Sequence, residues 1–89
     1  MKIQFTHGFI KIYNKRFPPK HNIHNKFNQR IELFSASPNN PILKDHLLGG
    51  KLSGYRAFSI TGDIRVVYHV HNDTAYFADI GTHNQVYGK

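Results

Sequence analysis

Across Ser37-Pro38-Asn39-Asn40-Pro41 the apolar residues change their period, and this divides the chain into a helical half and a strand half. Before the break, Phe9, Ile12, Tyr13 and Phe17 recur at helical spacing, which predicts a helix over His7–Arg16 with Thr6 as its cap. Pro18-Pro19 stops it, because the residue before a proline is pushed out of helical geometry. Ile23, Phe27, Ile31 and Phe34 form a second stripe, within a helix predicted from about Lys20 to Ser35. After the break the period falls to two. Gly54–Ile60, Asp63–His71 and Thr74–Ile80 read as strands, joined at Thr61-Gly62-Asp63 and Asn72-Asp73 as antiparallel hairpins. Lys2–Phe5 reads as a short first strand, and Ile42–Gly50 as a connector. The order β-α-α-β-β-β predicts an α+β fold: a twisted antiparallel sheet with both N-terminal helices packed on one side. A chain of 89 residues has room for one domain, taken here as residues 1–89. On the middle strand Ile64, Val66, Tyr68 and Val70 should face the helices, and Arg65, Val67, His69 and His71 a more open side.

Charge follows the same division. Lys and Arg total 12 against 5 Asp and Glu, a formal net charge of +7. Residues 1–31 contain Lys2, Lys11, Lys15, Arg16, Lys20, Lys26 and Arg30 and no acid; the rest of the chain is balanced. A concentrated cationic surface raises encounter rates with polyanions and binds phosphate by releasing counterions, so the expected partner is nucleic acid or an acidic protein. The apolar and aromatic content is too high for a disordered basic tail. No stretch is apolar enough to span a membrane, the N-terminus has no secretory pattern, and there is no cysteine for disulfides or thiol chemistry. A cytoplasmic location is expected.

Three blocks in the second half are more specific: Lys44-Asp45-His46 followed by Gly54-Tyr55-Arg56, then Ile60-Thr61-Gly62-Asp63-Ile64, then Ile80-Gly81-Thr82-His83 followed by Tyr87. In this order and spacing they resemble the YafQ branch of the RelE superfamily, the toxins of type II toxin–antitoxin pairs. The resemblance implies a ribosome-dependent endoribonuclease that cuts translated mRNA, and a cognate antitoxin that binds the toxin as a monomer within the complex. It also implies that His46, Asp63, His83, Arg65 and Tyr87 are the catalytic set. Some members carry an Asp and a His on the strand after Gly54-Tyr55-Arg56, where this chain has Ala57 and Ser59.

That inventory suits RNA cleavage without a metal. The 2′-OH needs a base, the phosphorane needs cations, and the departing 5′-oxygen needs an acid. His46 and His83 are expected to be base and acid, in either order. Asp63 would orient a histidine or read the scissile nucleotide. Arg65 would hold the phosphate with its planar fork, and Tyr87 would stack on a base. Arg56, Lys11, Lys15, Arg16, Lys26, Arg30 and Lys51 are expected RNA contacts. Each residue also has a plainer reading: Asp63 as a turn residue, His83 as a turn cap, Tyr87 as a C-terminal anchor, Arg56 as a partner for Asp79. His69-x-His71 and His21-x-x-His24 have spacing that could ligate a metal, but few carboxylates lie nearby, and no metal or other cofactor is expected. The rival functions are a toxin-fold module that binds antitoxin or RNA without cutting, and a general basic RNA-binding domain.

Overall fold

The computed structural model describes residues 1–88. Its elements are β1 (Lys2–Phe5), α1 (His7–Arg16), α2 (Ile23–Ala36), β2 (His46–Leu47), β3 (Arg56–Ser59), β4 (Ile64–His71), β5 (Thr74–Thr82) and α3 (His83–Tyr87), with single 3-10 turns at Pro41–Leu43 and Gly50–Leu52. The five strands lie in the order β1-β5-β4-β3-β2. The α+β class and the placing of α1 and α2 on one side of the sheet are as expected. The sheet is antiparallel except at one edge, where β1 joins β5 in parallel.

The helices end where their residues dictate. The Thr6 hydroxyl accepts from the Phe9 N–H at 3.1 Å and donates to the Phe77 carbonyl at 2.7 Å. One side chain therefore caps α1 and ties its start to β5. At the far end the Phe17 N–H closes on the Tyr13 carbonyl, and Pro18-Pro19 carry the chain away. Helix α2 begins at Ile23, three residues later than the spacing predicts. The reason is local: His21 closes a turn onto the Pro18 carbonyl, and its ring accepts from the Ile23 N–H at 3.0 Å.

The core lies between these helices and the sheet. Phe9, Phe17, Ile23, Phe27 and Phe34 meet Phe58, Ile60, Val66, Tyr68, Phe77 and Ile80. Phe34 stacks on Phe58 with ring centres 4.5 Å apart and planes 12° apart, and Phe9 sets its ring edge-on to Phe77 at 5.4 Å. Fully burying an aliphatic or phenyl side chain contributes about 1.5–3 kcal/mol, so this aromatic layer dominates stability.

Two features depart from simple alternation. Between β4 and β5 the register jumps: Val67 lies opposite Asp79 but Tyr68 opposite Phe77, leaving Ala78 as an inserted residue. Such a bulge reverses the side-chain parity of the strand. Ala75 and Phe77 point into the core, and so does Ile80, while Asp79 and Gly81 fall in register with Val67 and Arg65. The second departure is on the sheet's other face, expected to be open. There Val67 is buried with Ala57 and Val86, against half-buried Leu48, Tyr55 and Tyr87. The cover comes from α3 and the segment around Leu48.

Candidate active site

Cross-strand partners in an antiparallel ladder project on the same side. His46 pairs with Ala57, Ala57 with Val67, and Val67 with Asp79, forming one row across four strands on the face away from α1 and α2. Ser59, Arg65 and Gly81 form the next row. His46 and Arg65, far apart in the chain, thus share a face. Ala57 lies between them and fills little space.

Helix α3 brings the remaining groups. Thr82 and Gln85 form a reciprocal cap: the Thr82 hydroxyl accepts from the Gln85 N–H at 3.2 Å, and the Gln85 side chain accepts from the Thr82 N–H at 2.9 Å. His83, next after the cap, is exposed, and Tyr87 lies one turn on. Their rings meet edge to face with centres 4.7 Å apart. Gly81 makes room beneath: a Cβ there would sit 2.9 Å from Gln85 Cβ and 2.7 Å from a guanidinium nitrogen of Arg16.

Two cavities open on this face. One, of about 330 Å³, is lined by Arg30, Lys44, His46, Ser59, Thr61 and Arg65 among others. The other, of about 600 Å³, is bordered by His46, Leu48, Lys51, His83, Val86 and Tyr87. His46 belongs to both. Arg65 joins them from the other side, its guanidinium carbon 5.7 Å from the centre of the Tyr87 ring, a cation–π distance. Arg65 Nε and Tyr87 Oη are both buried and have no hydrogen-bond partner among the described residues. Buried polar atoms are normally paired; here the Arg65 guanidinium lies near enough to the Tyr87 hydroxyl to act on it, while the Arg65 Nε N–H is left for a ligand. Burial raises the Tyr87 hydroxyl above the ordinary tyrosine range, and the Arg65 charge partly offsets this.

His46 is exposed, and its Nδ1 lies 2.9 Å from the Lys44 carbonyl oxygen. A carbonyl can only accept, so Nδ1 carries the proton and the neutral ring keeps its lone pair on Nε2. Lys44 has φ 51°, a left-handed conformation unusual for lysine, reached as its N–H closes the preceding turn onto the Pro41 carbonyl.

Not every expected residue joins this group. Asp63 is exposed in the β3–β4 turn, its N–H bonded to the Thr61 hydroxyl, and it is not among the residues lining either cavity. Arg56 shares the register of Tyr68, on the opposite parity from His46. Its Nε donates to Asp45 at 2.7 Å. The acid that pairs Arg56 is therefore Asp45, and Asp79 is taken by Arg16, which donates to it at 3.1 Å and to the Ile80 carbonyl at 2.7 Å. Arg16 thus fastens α1 to β5. Lys11 and Lys15 are exposed on α1, Lys26 is half-buried on α2, and none of the three lines either cavity. Arg30 and Lys51 border one cavity each.

The spare histidines have other work. Tyr13 donates to His24 Nδ1 at 2.6 Å, and His24 Nε2 donates to the Pro18 carbonyl at 2.8 Å. His69 lies between Tyr76, stacked on it, and the edge-on ring of Tyr55. No group of three His, Asp or Glu side chains suited to a metal occurs among the described residues, and no helix there is long and apolar enough to cross a membrane. The residues beside the site to which the sequence alone assigns no role there are Asp45, Lys44 and Thr61. Asp45, beside His46, could have been found as an acid next to a candidate base.

Comparison with known proteins gives a consistent picture. Residues 1–88 match the family model for the bacterial toxin of type II toxin–antitoxin systems, YafQ. The fold is similar to YafQ from E. coli strain BL21(DE3), with 25% identity, TM-score 0.75 and 98% of each chain covered. It is similar to a copper-bound mutant toxin from Helicobacter pylori, with 25% identity, TM-score 0.78, and 98% of this chain and 99% of that one covered. It also matches the E. coli DinJ-YafQ complex, with 26% identity, TM-score 0.73 and 98% of each chain covered. A search of curated proteins found no match.

Proposed function

The chain belongs to the YafQ family of type II toxin–antitoxin toxins, and on that premise we propose that it is a ribosome-dependent endoribonuclease acting on translated mRNA. The observation that carries this reading is the convergence of His46 and Arg65 from the sheet with His83 and Tyr87 from α3 around two adjoining cavities. The scissile phosphate sits at the junction, beside Arg65. His46 Nε2 takes the proton of the 2′-OH, and the 2′-oxygen attacks phosphorus. Arg65 donates to the equatorial oxygens of the phosphorane. The 5′-oxygen leaves with a proton from the His83 imidazolium. The products are a 2′,3′-cyclic phosphate and a 5′-hydroxyl, and every proton is accounted for. Tyr87 supplies a face for an unstacked base. The basic surface of α1 and α2 assists docking to ribosomal RNA. Control is by a cognate antitoxin, as in the DinJ-YafQ complex, with one toxin chain per binding site, in the cytoplasm.

One observation favours a second reading. Ala57 adjoins His46 and Ser59 adjoins Arg65, so the two side chains nearest the proposed chemistry carry no acid–base group of their own. A module that binds without cutting would look the same there. Induced expression separates the two. The nuclease arrests growth and leaves cuts within translated frames, and His83→Ala relieves arrest with about 10²–10⁴-fold slower cleavage. Unharmed cells with intact transcripts would establish the binding module.

A further inference from the structure

Asp45 is an acid that the proposed chemistry does not use, yet its side chain is only 8% exposed. It accepts two hydrogen bonds, from Arg56 Nε at 2.7 Å and from the Tyr68 hydroxyl. These come from β3 and β4, while Asp45 itself lies immediately before β2, a strand of two residues. So short a strand has little ladder of its own to hold it. Asp45 also occupies a particular place along the backbone. The bond from His46 Nδ1 to the Lys44 carbonyl spans residues 44 to 46, and its geometry is set by the φ and ψ of the residue between. On one side, Lys44 is held in left-handed geometry by the turn before it. On the other, His46 pairs with Ala57. The middle residue is fixed by its own carboxylate.

We propose that Asp45, clamped by Arg56 and Tyr68, is a positioning residue that holds the Lys44 carbonyl against His46 Nδ1 and so keeps the lone pair of the ring on Nε2. This deepens the nuclease reading, since it makes His46 the base. Free histidine favours the opposite tautomer, with the proton on Nε2, which has no lone pair there to accept the 2′-OH proton. Tyr68 suits the clamp because its ring is anchored in the aromatic core, beside Phe34 and Phe58. Burial and the Asp45 contact both push its hydroxyl above the ordinary tyrosine range, so it remains a donor at neutral pH.

The test separates the clamp from the reading it rests on, because the tautomer is measured without RNA. Nitrogen-15 spectra of the imidazoles in the full chain are expected to show a pyrrole-type Nδ1 and a pyridine-type Nε2 for His46. Asp45→Ala and Tyr68→Phe should return the ring toward the pyrrole-type Nε2, and Asp45→Asn, which keeps an acceptor for Arg56, should restore part of the original state. In translation extracts kcat should fall roughly tenfold or more with KM changed less than twofold, since the lost term belongs to proton transfer. Should Asp45→Ala fail to fold, Tyr68→Phe and Asp45→Asn decide. A wild-type ring protonated on Nε2, or folded variants that keep the Nδ1 proton, overturns the proposal. A chain without nuclease activity that still shows this tautomer and its loss overturns the nuclease reading and leaves the clamp standing.

Discussion

The two faces of the sheet are built from the same strands and answer to different rules. The side against α1 and α2 is a continuous aromatic layer in which Phe34, Phe58 and Phe77 are shut off from solvent. The opposite side has a small apolar patch of Ala57, Val67 and Val86, and around it unpaired buried polar atoms and a ring of cationic groups. On the first side no buried side-chain polar atom among the described residues lacks a partner, and the side contributes stability. On the second, Arg65 Nε is buried without a partner among the described residues, a cost carried by the first. One strand serves both sides, since β4 sends Val66 and Tyr68 to the core and Arg65 and Val67 to the site.

Substitutions on the two faces should therefore separate stability from activity. Phe34→Ala removes a ring fully enclosed by Phe58, Tyr68 and Phe77, and should cost about 3–5 kcal/mol in denaturant unfolding. Arg65→Ala should slow cleavage by about 10²–10³-fold while leaving the unfolding midpoint nearly in place. A comparable loss of stability from Arg65→Ala would break the contrast. Gly81→Ala lies on the seam: its methyl would meet Gln85 and Arg16, displacing α3, so about 1–3 kcal/mol of stability and much of the activity should fall together. The smallest effect is a pH dependence. The Tyr68 hydroxyl is raised from 10.0 in the folded state, so its contribution is complete below pH 10 and is lost as pH rises beyond it. Alkaline titration of unfolding should show wild type losing stability above pH 10, with a shallower loss in Tyr68→Phe.

The same contrast governs what the sequence discloses. The helix-side face is legible because Ile23, Phe27 and Phe34 repeat over enough turns for the period to stand out. The site face depends on short or irregular pieces. Two residues of β2 have no period to detect, and α3 is too brief for an apolar stripe, although Thr82-x-x-Gln85 is a capping signature in plain view. His46, Arg65, His83 and Tyr87 stand in or beside the three motif blocks of the second half, and each borders at least one of the two cavities. The hairpin turn at Asp63 is legible too, but that Asp63 lines neither cavity and that Arg56 answers to Asp45 and not Asp79 depends on which side each residue projects, which the residues do not announce.

Ala78 has a consequence for how such a chain can vary. Remove that one residue and β5 would pair with β4 without interruption, a better ladder by hydrogen-bond count. Everything beyond it would keep its face: Asp79 would follow Phe77 directly and still lie opposite Val67, and Ile80 would still lie opposite Val66 against the phenyl rings. The length of this strand can therefore change at Ala78, whereas a residue removed from its regular stretches would send neighbouring side chains to the wrong face. A library of single-codon deletions should show Ala78 as the tolerant position within an otherwise intolerant β5.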